Sequence, residues 1–282
     1  MLLNLLVKPG WLFVENMVQD QVGHESWGVF SALFAFTFIF SSFSDLGINQ
    51  FSTKQLAASP QFVDDYYPAL LPVKTILTLV FPFLIVVAGW VWGYTASELY
   101  LLLFIAFGFT LMQFILFFRG TLQANQLFNT DAITSVLDKF VVVLFIFGLI
   151  LANYLNLYSY VYARTVATML TLLILFILIK RQYGRIGFKF DWQKTKMVFK
   201  GALPFALITL VYGLNEKIDM VLLKKLAQDE EVGLYAAAYR WVDAVMMYLW
   251  TILPVFFAKF ALHIQDKKEQ KNLLDFGQVV VS

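Results

Sequence analysis

The sequence predicts an all-α fold: a polytopic integral membrane helix bundle of about eight transmembrane helices, built as one six-helix lobe plus the start of a second. Three observations predict it. Eight apolar stretches follow one another from Met1 to Phe257. Of the 282 residues 60% are hydrophobic and only 14% charged, with mean hydropathy +0.72, far from the mixed composition of a water-soluble domain. A short stretch near the start of the chain reappears after six spans.

The spans cover residues 1–18, 27–51, 69–92, 99–118, 133–152, 157–179, 203–223 and 234–257. Each approaches the ~20 helical residues that cross a ~30 Å hydrocarbon core at ~1.5 Å per residue. Strands are excluded by runs such as LTLLILFILI at 170–179, which lack the alternation of a membrane β-barrel. Helices satisfy their own backbone groups, as lipid requires.

Orientation follows from the loop cations. One side carries Lys54, Arg119, Lys180, Arg181, Arg185, Lys189, Lys194, Lys196, Lys200, Lys259, Lys267, Lys268 and Lys271, thirteen of the 21 Lys and Arg, and the other only Lys224 and Lys225. The positive-inside rule therefore predicts a multi-pass membrane protein with both termini cytoplasmic. Six cations remain (21 − 13 − 2), all inside predicted spans: Lys8, Lys74, Lys139, Arg164, Lys217 and Arg240.

Several chemistries are excluded. With no cysteine there is no disulfide framework, thiol nucleophile or cysteine metal site, and His24 and His263 fall on opposite sides of the membrane. MLLNLLV has no preceding basic residue and no cleavage site, so it reads as part of the first span. No P-loop or dinucleotide fingerprint is present, and no cofactor is expected. The outward loops, 19–26, 93–98, 153–156 and 224–233, are too short to hold a catalytic domain. The work belongs to the helix bundle, which argues for transport and against an enzyme.

The longest connection, KRQYGRIGFKFDWQKTKMVFK at 180–200, carries seven basic residues against Asp191 alone and is interleaved with Phe188, Phe190, Trp192 and Phe199. It reads as an interfacial segment on an anionic leaflet. Beyond it the sequence restarts. Shifting by 205 positions lays VGHESWGVFSALF at 22–34 on AQDEEVGLYAAAY at 227–239, matching Glu25, Gly28 and Ala32 to Glu230, Gly233 and Ala237 (233 − 28 = 205). Six intervening spans give the copies the same orientation, so they define a parallel repeat about an axis along the membrane normal. The expected organisation is an N-terminal six-helix lobe at 1–183, a basic amphipathic cytoplasmic linker at 184–200 and an incomplete C-terminal lobe at 201–282.

The run from Leu203 to Arg240, with Pro204, NEKIDMVLL and EEVGLYAAAYR, resembles the start of the C-terminal lobe of Wzx-type polysaccharide and O-antigen flippases, members of the MATE-like superfamily of multidrug, oligosaccharidyl-lipid and polysaccharide exporters. VKPGWLFVENMVQDQVGHESWGVFSALFAF and SDLGINQFSTKQLA resemble that family's first two helices. The resemblance spans the whole chain. That family has more spans than the eight readable here, and the chain stops at Ser282 as a ninth begins near Asp275, so a truncated frame is expected.

The resemblance implies flipping of an undecaprenyl-diphosphate-linked oligosaccharide between leaflets, for cell-surface and lipopolysaccharide assembly. That task needs a wet cavity with cations for the diphosphate. The substrate-binding candidates are Lys8, Arg164, Arg240, Lys74 and Lys139, since ionised groups deep in a bilayer face water or a partner. Lys8 and Arg164 lead, having no local acid beside them. Lys74 and Lys139 also have a snorkelling explanation, Lys217 has Glu216 and Asp219 nearby, and Arg240 has Asp243 at i+3. Glu216 and Asp219 form a polar stripe for cation coupling, with a helix-end role as the alternative. Asp45 is the third coupling candidate and sits beside Gly47 in what reads as a helix-ending turn.

Two other functions compete: a cation-coupled drug or metabolite antiporter of the same superfamily, which calls for an acid-dominated cavity, and a non-transporting component of a polysaccharide assembly complex. The expected partners are the lipid-linked oligosaccharide, membrane lipids, a polysaccharide polymerase and glycosyltransferases, and no nucleic acid.

Overall fold

The computed structural model describes the backbone of residues 2–58, 62–183 and 190–262, and side chains within 10–56, 65–181 (Ala124 and Phe128 excepted) and 190–245. Among these residues there is no strand. The helices are α1 (Leu2–Val22), α2 (His24–Phe40), α3 (Ser42–Asp45), α4 (Ile48–Ala58), α5 (Phe62–Trp92), α6 (Ala96–Ala124), α7 (Phe128–Leu151), α8 (Leu157–Tyr183), α9 (Trp192–Leu226) and α10 (Asp229–Leu262). Five of them, α5 to α9, are long and apolar enough to cross a membrane by length and composition. The molecule is a polytopic helical bundle.

The helix ends are set by local chemistry. Thr95 and Glu98 form a reciprocal capping box on α6, the Thr95 N–H donating to Glu98 Oε2 at 2.7 Å. Asp191 caps α9 by accepting the Gln193 and Lys194 N–H groups at 3.0 and 3.1 Å. Arg119 grips Asp131 through Nε (2.6 Å) and Nη2 (3.2 Å), pinning the end of α6 to the start of α7.

The second predicted span, 27–51, is not one helix. Ser41 and Ser44 donate their hydroxyls to the Phe38 and Ser41 carbonyls at 2.7 and 2.6 Å, offering the backbone an alternative to the helical ladder. Leu46 then turns left-handed (φ 52°) and Gly47 follows at φ 76°, so α2 gives way to the short α3 and the chain restarts as α4. Gly47 is required twice: a Cβ there would also lie 2.3 Å from the Ala202 carbonyl of α9.

The chain divides into two units, Met1–Ala236 and Ala237–Ser282. In the first, α9 packs along α2, α4 and α5. The expected linker at 184–200 is helical from Trp192 onward, as the first turns of α9, while 184–189 lie outside the described residues. Two apolar cores sit along the bundle. One gathers Trp27, Phe30, Leu33, Phe36, Tyr94 and Tyr160, and the other Ile48, Tyr67, Phe117, Phe118, Leu175 and Val198. The end beyond the first core exposes Asp20, Glu25, Glu230 and Glu231; the end beyond the second exposes Lys54, Lys180, Arg181, Lys196 and Lys200. We call them the acidic and the basic end.

At the acidic end the two copies of the sequence repeat touch. A Cβ on Gly28 would stand 1.9 Å from the Asp229 carbonyl oxygen, and a Cβ on Gly233 would stand 2.0 Å from that of His24. Under the 205-residue shift Gly28 corresponds to Gly233 and His24 to Asp229 (229 − 24 = 205). Contact i to j′ is therefore accompanied by j to i′, the signature of a two-fold relation between the copies. Only glycine lets the starts of α2 and α10 come this close.

Candidate functional site

Three of the six intramembrane cations, Arg164, Lys139 and Lys74, occupy three different settings. Arg164 on α8 borders a cavity of about 80 Å³ between α2, α6 and α8, walled by Phe30, Phe34, Gly108, Met112, Thr165 and Thr168. Its guanidinium lies 4.9 Å from the Phe34 ring centre, 5.9 Å from Phe30 and 5.8 Å from Trp11, and Nη1 donates to Tyr160 Oη at 3.3 Å. Aromatic faces and a phenol stabilise the cation without neutralising it. The expectation that Arg164 lacks an acid partner needs correcting: Glu15 of α1 is 4.0 Å away, at the limit of an ion pair. At that separation the carboxylate is outside hydrogen-bond range of the guanidinium.

Trp11 links this cavity to a second setting. Its ring also carries Lys139 Nζ at 4.7 Å, and Lys139 is 3.8 Å from Asp138 Oδ2. Lys139 faces a cleft of about 290 Å³ with Gly10, Trp11, Val14, Val136, Phe140 and Val143. Asp138 Oδ1 is buried with no hydrogen-bond partner. Around one indole the fold has collected two acids, Glu15 and Asp138, and two bases, Lys139 and Arg164.

Lys74 is different. It is 2% exposed and lines neither of these two cavities. Its Nζ pairs with Asp45 Oδ1 at 2.5 Å and donates to Asn49 Oδ1 at 2.8 Å. Asn49 donates its backbone N–H to Asp45 Oδ2 and its side-chain amide to Gln113 Oε1 at 2.8 Å. Asp45 thus caps the start of α4, just past the Leu46–Gly47 turn, and neutralises Lys74. The network ties α3, α4, α5 and α6 together with its polar atoms satisfied.

The remaining candidates lie elsewhere. The backbone of Lys8 belongs to α1, and its side chain is outside the described residues. Asp219 on α9 accepts a hydrogen bond from Tyr235 Oη and from the Met220 N–H at 2.8 Å, and Glu216 is half-buried one turn before it. Arg240 lies on α10 in the second unit. The structure brings Arg164 and Lys139 together across Trp11 and keeps both apart from the Lys74–Asp45 pair.

Sequence reasoning passed over Glu15, Asp138, Glu98 and Lys224. At the acidic end, Lys224 Nζ bridges Glu98 Oε1 (2.7 Å) and Asp229 Oδ1, while Gln19 Nε2 donates to the Gly233 carbonyl at 3.1 Å and meets His24 Nδ1 at 2.9 Å. The Tyr94 hydroxyl below them is buried without a partner, and burial, aided by the Glu98 carboxylate, pushes its pKa above the ordinary phenol range. Glu15 had a readable signal: an acid inside an apolar span, one turn from Trp11, is as costly as a cation there.

The family pattern described as Polysaccharide biosynthesis protein matches residues 17–261. A crystal structure of a MATE in complex with MaD3S is similar in fold at 16% identity and TM-score 0.61, over 85% of this chain and 58% of its own. An outward-facing multidrug resistance MATE family transporter of the MOP superfamily gives 16% and 0.63 over 85% of this chain and 57% of its own. An inward-facing conformation gives 15% and 0.67 over 93% and 64%. The chain thus spans about three fifths of the length of these transporters. Among curated proteins none matches.

Proposed function

The chain belongs to the polysaccharide biosynthesis protein family and has the fold of membrane transporters, and from that premise we propose that its cargo is an undecaprenyl-diphosphate-linked oligosaccharide, moved from the inner to the outer leaflet of the bacterial plasma membrane for surface polysaccharide or O-antigen assembly. The observation that carries this reading is Arg164: a guanidinium at a cavity wall, held by aromatic faces, with the Glu15 carboxylate 4.0 Å away. A diphosphate offers the paired oxygens that guanidinium geometry matches. Lys139, across Trp11, is the second cation of the same surface, and Lys8 on α1 is the third to test. Lys74 and Asp45 brace the bundle in this reading, because each is already the other's partner. Arg240, together with Glu216 and Asp219 as coupling acids, is to be tested in the same export assay.

Replacing Arg164 by Ala in the full-length protein should lower polysaccharide export about 10- to 100-fold, the worth of one charge-assisted contact, with membrane insertion unchanged. Arg164→Lys should rescue only in part. Unchanged export in Arg164→Ala combined with Lys8→Ala rules the assignment out.

A cation-coupled antiporter is the second reading, favoured by Glu15 and Asp138, whose carboxylates stand in the same cluster. Drug-driven cation exchange in proteoliposomes, absent with lipid-linked oligosaccharide, would select it.

A further inference from the structure

The basic end carries a surface that neither the cavities nor the repeat use. Helix α9 has 35 residues, ~52 Å at 1.5 Å per residue, against a ~30 Å hydrocarbon core. Even at the ~40° upper end of helix tilt it still spans ~40 Å of depth. Its far end is fixed at the acidic interface, where Lys224 bonds Glu98 in the first turn of α6. Counting ~20 residues back from Lys224 puts the hydrocarbon boundary at Pro204. The first three turns of α9 therefore stand in the headgroup layer.

Those turns have two faces. Thr195, Val198 and Ala202 are buried at helical spacing. Gly201 admits the Phe51 ring, and Lys194 donates to the Asp65 carbonyl at 2.6 Å with its Nζ over Tyr66. The opposite face shows Trp192 (64% exposed), Met197 (50%), Lys196 and Lys200, with Phe190 (57%) just before it. Trp192, Lys196 and Lys200 recur at i, i+4, i+8 and form one stripe. Lys180 and Arg181 in the last turn of α8 and Lys54 on α4 are exposed at the same end. Of the described acids there, Asp191 is committed as the α9 cap and Asp131 to Arg119, which leaves Asp65.

Large apolar side chains beside lysines that have no acidic partner among the described residues fit neither bulk water nor hydrocarbon. They fit the lipid headgroup layer. We propose that the turns of α9 before Pro204 form a docking collar for acidic phospholipids, with Lys196 and Lys200 holding headgroup phosphates and Met197, Trp192 and Phe190 lying among the headgroups outside them. Charge selects the occupant: the opposite rim of the same bundle is acidic, so only one leaflet's anionic lipid is attracted to this end. The collar is independent of which cargo the bundle carries.

The chain has no cysteine, so Gln193→Cys provides a single labelling site on this exposed face. The full chain, labelled there with an environment-sensitive fluorophore, is reconstituted in phosphatidylcholine nanodiscs with rising fractions of brominated phosphatidylglycerol or brominated phosphatidylcholine. Phosphatidylglycerol should half-quench the label at a much lower mole fraction. Lys196→Gln and Lys200→Gln should each raise that fraction about fivefold, and Lys→Arg at both should leave it in place. Equal quenching by both lipids overturns the acidic-headgroup assignment. No quenching by either means that protein or water covers the face, and displacement of the quencher by glycerol phosphate means a free-phosphate site; each overturns the proposal.

Discussion

The two copies of the repeat meet at the acidic end with one geometry and two chemistries. In the first copy Gln19 bonds His24, five residues on; in the second Lys224 bonds Asp229, again five residues on. The 205-residue shift maps one pair onto the other (224 − 19 = 205). The neutral copy makes a short local contact and reaches across to the Gly233 carbonyl. The charged copy reaches outside the repeat, to Glu98 of α6. Backbone packing between the copies is thus symmetric, while the electrostatics that hold it are one-sided. Close packing is set by a pair of glycines that must both be small, and charge is free to diverge once the shape is fixed.

The largest expected effect breaks the symmetric part. Gly28→Ala and Gly233→Ala each place a methyl against a backbone carbonyl that cannot give way. Each should destabilise the bundle by about 1–3 kcal/mol in equilibrium unfolding, through overpacking. Because both contacts lie in one crossing, the double variant should cost clearly less than the sum. Strictly additive values would separate the two contacts and dissolve the two-fold relation.

Next comes the charged copy. Lys224→Met leaves Glu98 and Asp229 facing each other at a half-buried site, and a loss of about 1–2 kcal/mol is expected, between the values for exposed and fully buried pairs. Adding Glu98→Gln should restore part of it. An effect of Lys224→Met that Glu98→Gln worsens would mean that packing of the lysine stem carries the contact. The smallest effect belongs to the neutral copy: Gln19→Ala removes one neutral cross-contact and should cost about 1 kcal/mol, unchanged between low and high salt, whereas the Lys224 variant's deficit should shrink as salt rises.

Five of the eight predicted spans, those of α5 to α9, are legible in the sequence because twenty apolar residues have no other use in a chain this greasy. The repeat is legible from Glu25, Gly28 and Ala32 against their shifted matches. Asp45 beside Gly47 reads as a turn, and the left-handed Leu46–Gly47 pair is that turn. Its position inside an unbroken apolar run hides the division of the second span, since Ser41 and Ser44 are polar only through hydroxyls that bond back to the helix. The partners of the cations are not legible. Glu15 meets Arg164, and Asp45 meets Lys74, across elements whose packing no local spacing encodes. Lys74, equally compatible on sequence with snorkelling and with a cavity, is instead sealed inside.

Helix α9 is one uninterrupted rod with a single proline, Pro204. That proline leaves the Lys200 carbonyl without its helical donor, so bending is cheapest there. Lys224 lies twenty residues beyond, an arm of ~30 Å. A swing of only ~10° about Pro204 carries the lysine ~5 Å over that arm, well past the reach of a hydrogen bond. The helix gives leverage: a disturbance at its short stub before Pro204 would be magnified at the far rim, where it would unhook Lys224 from Glu98.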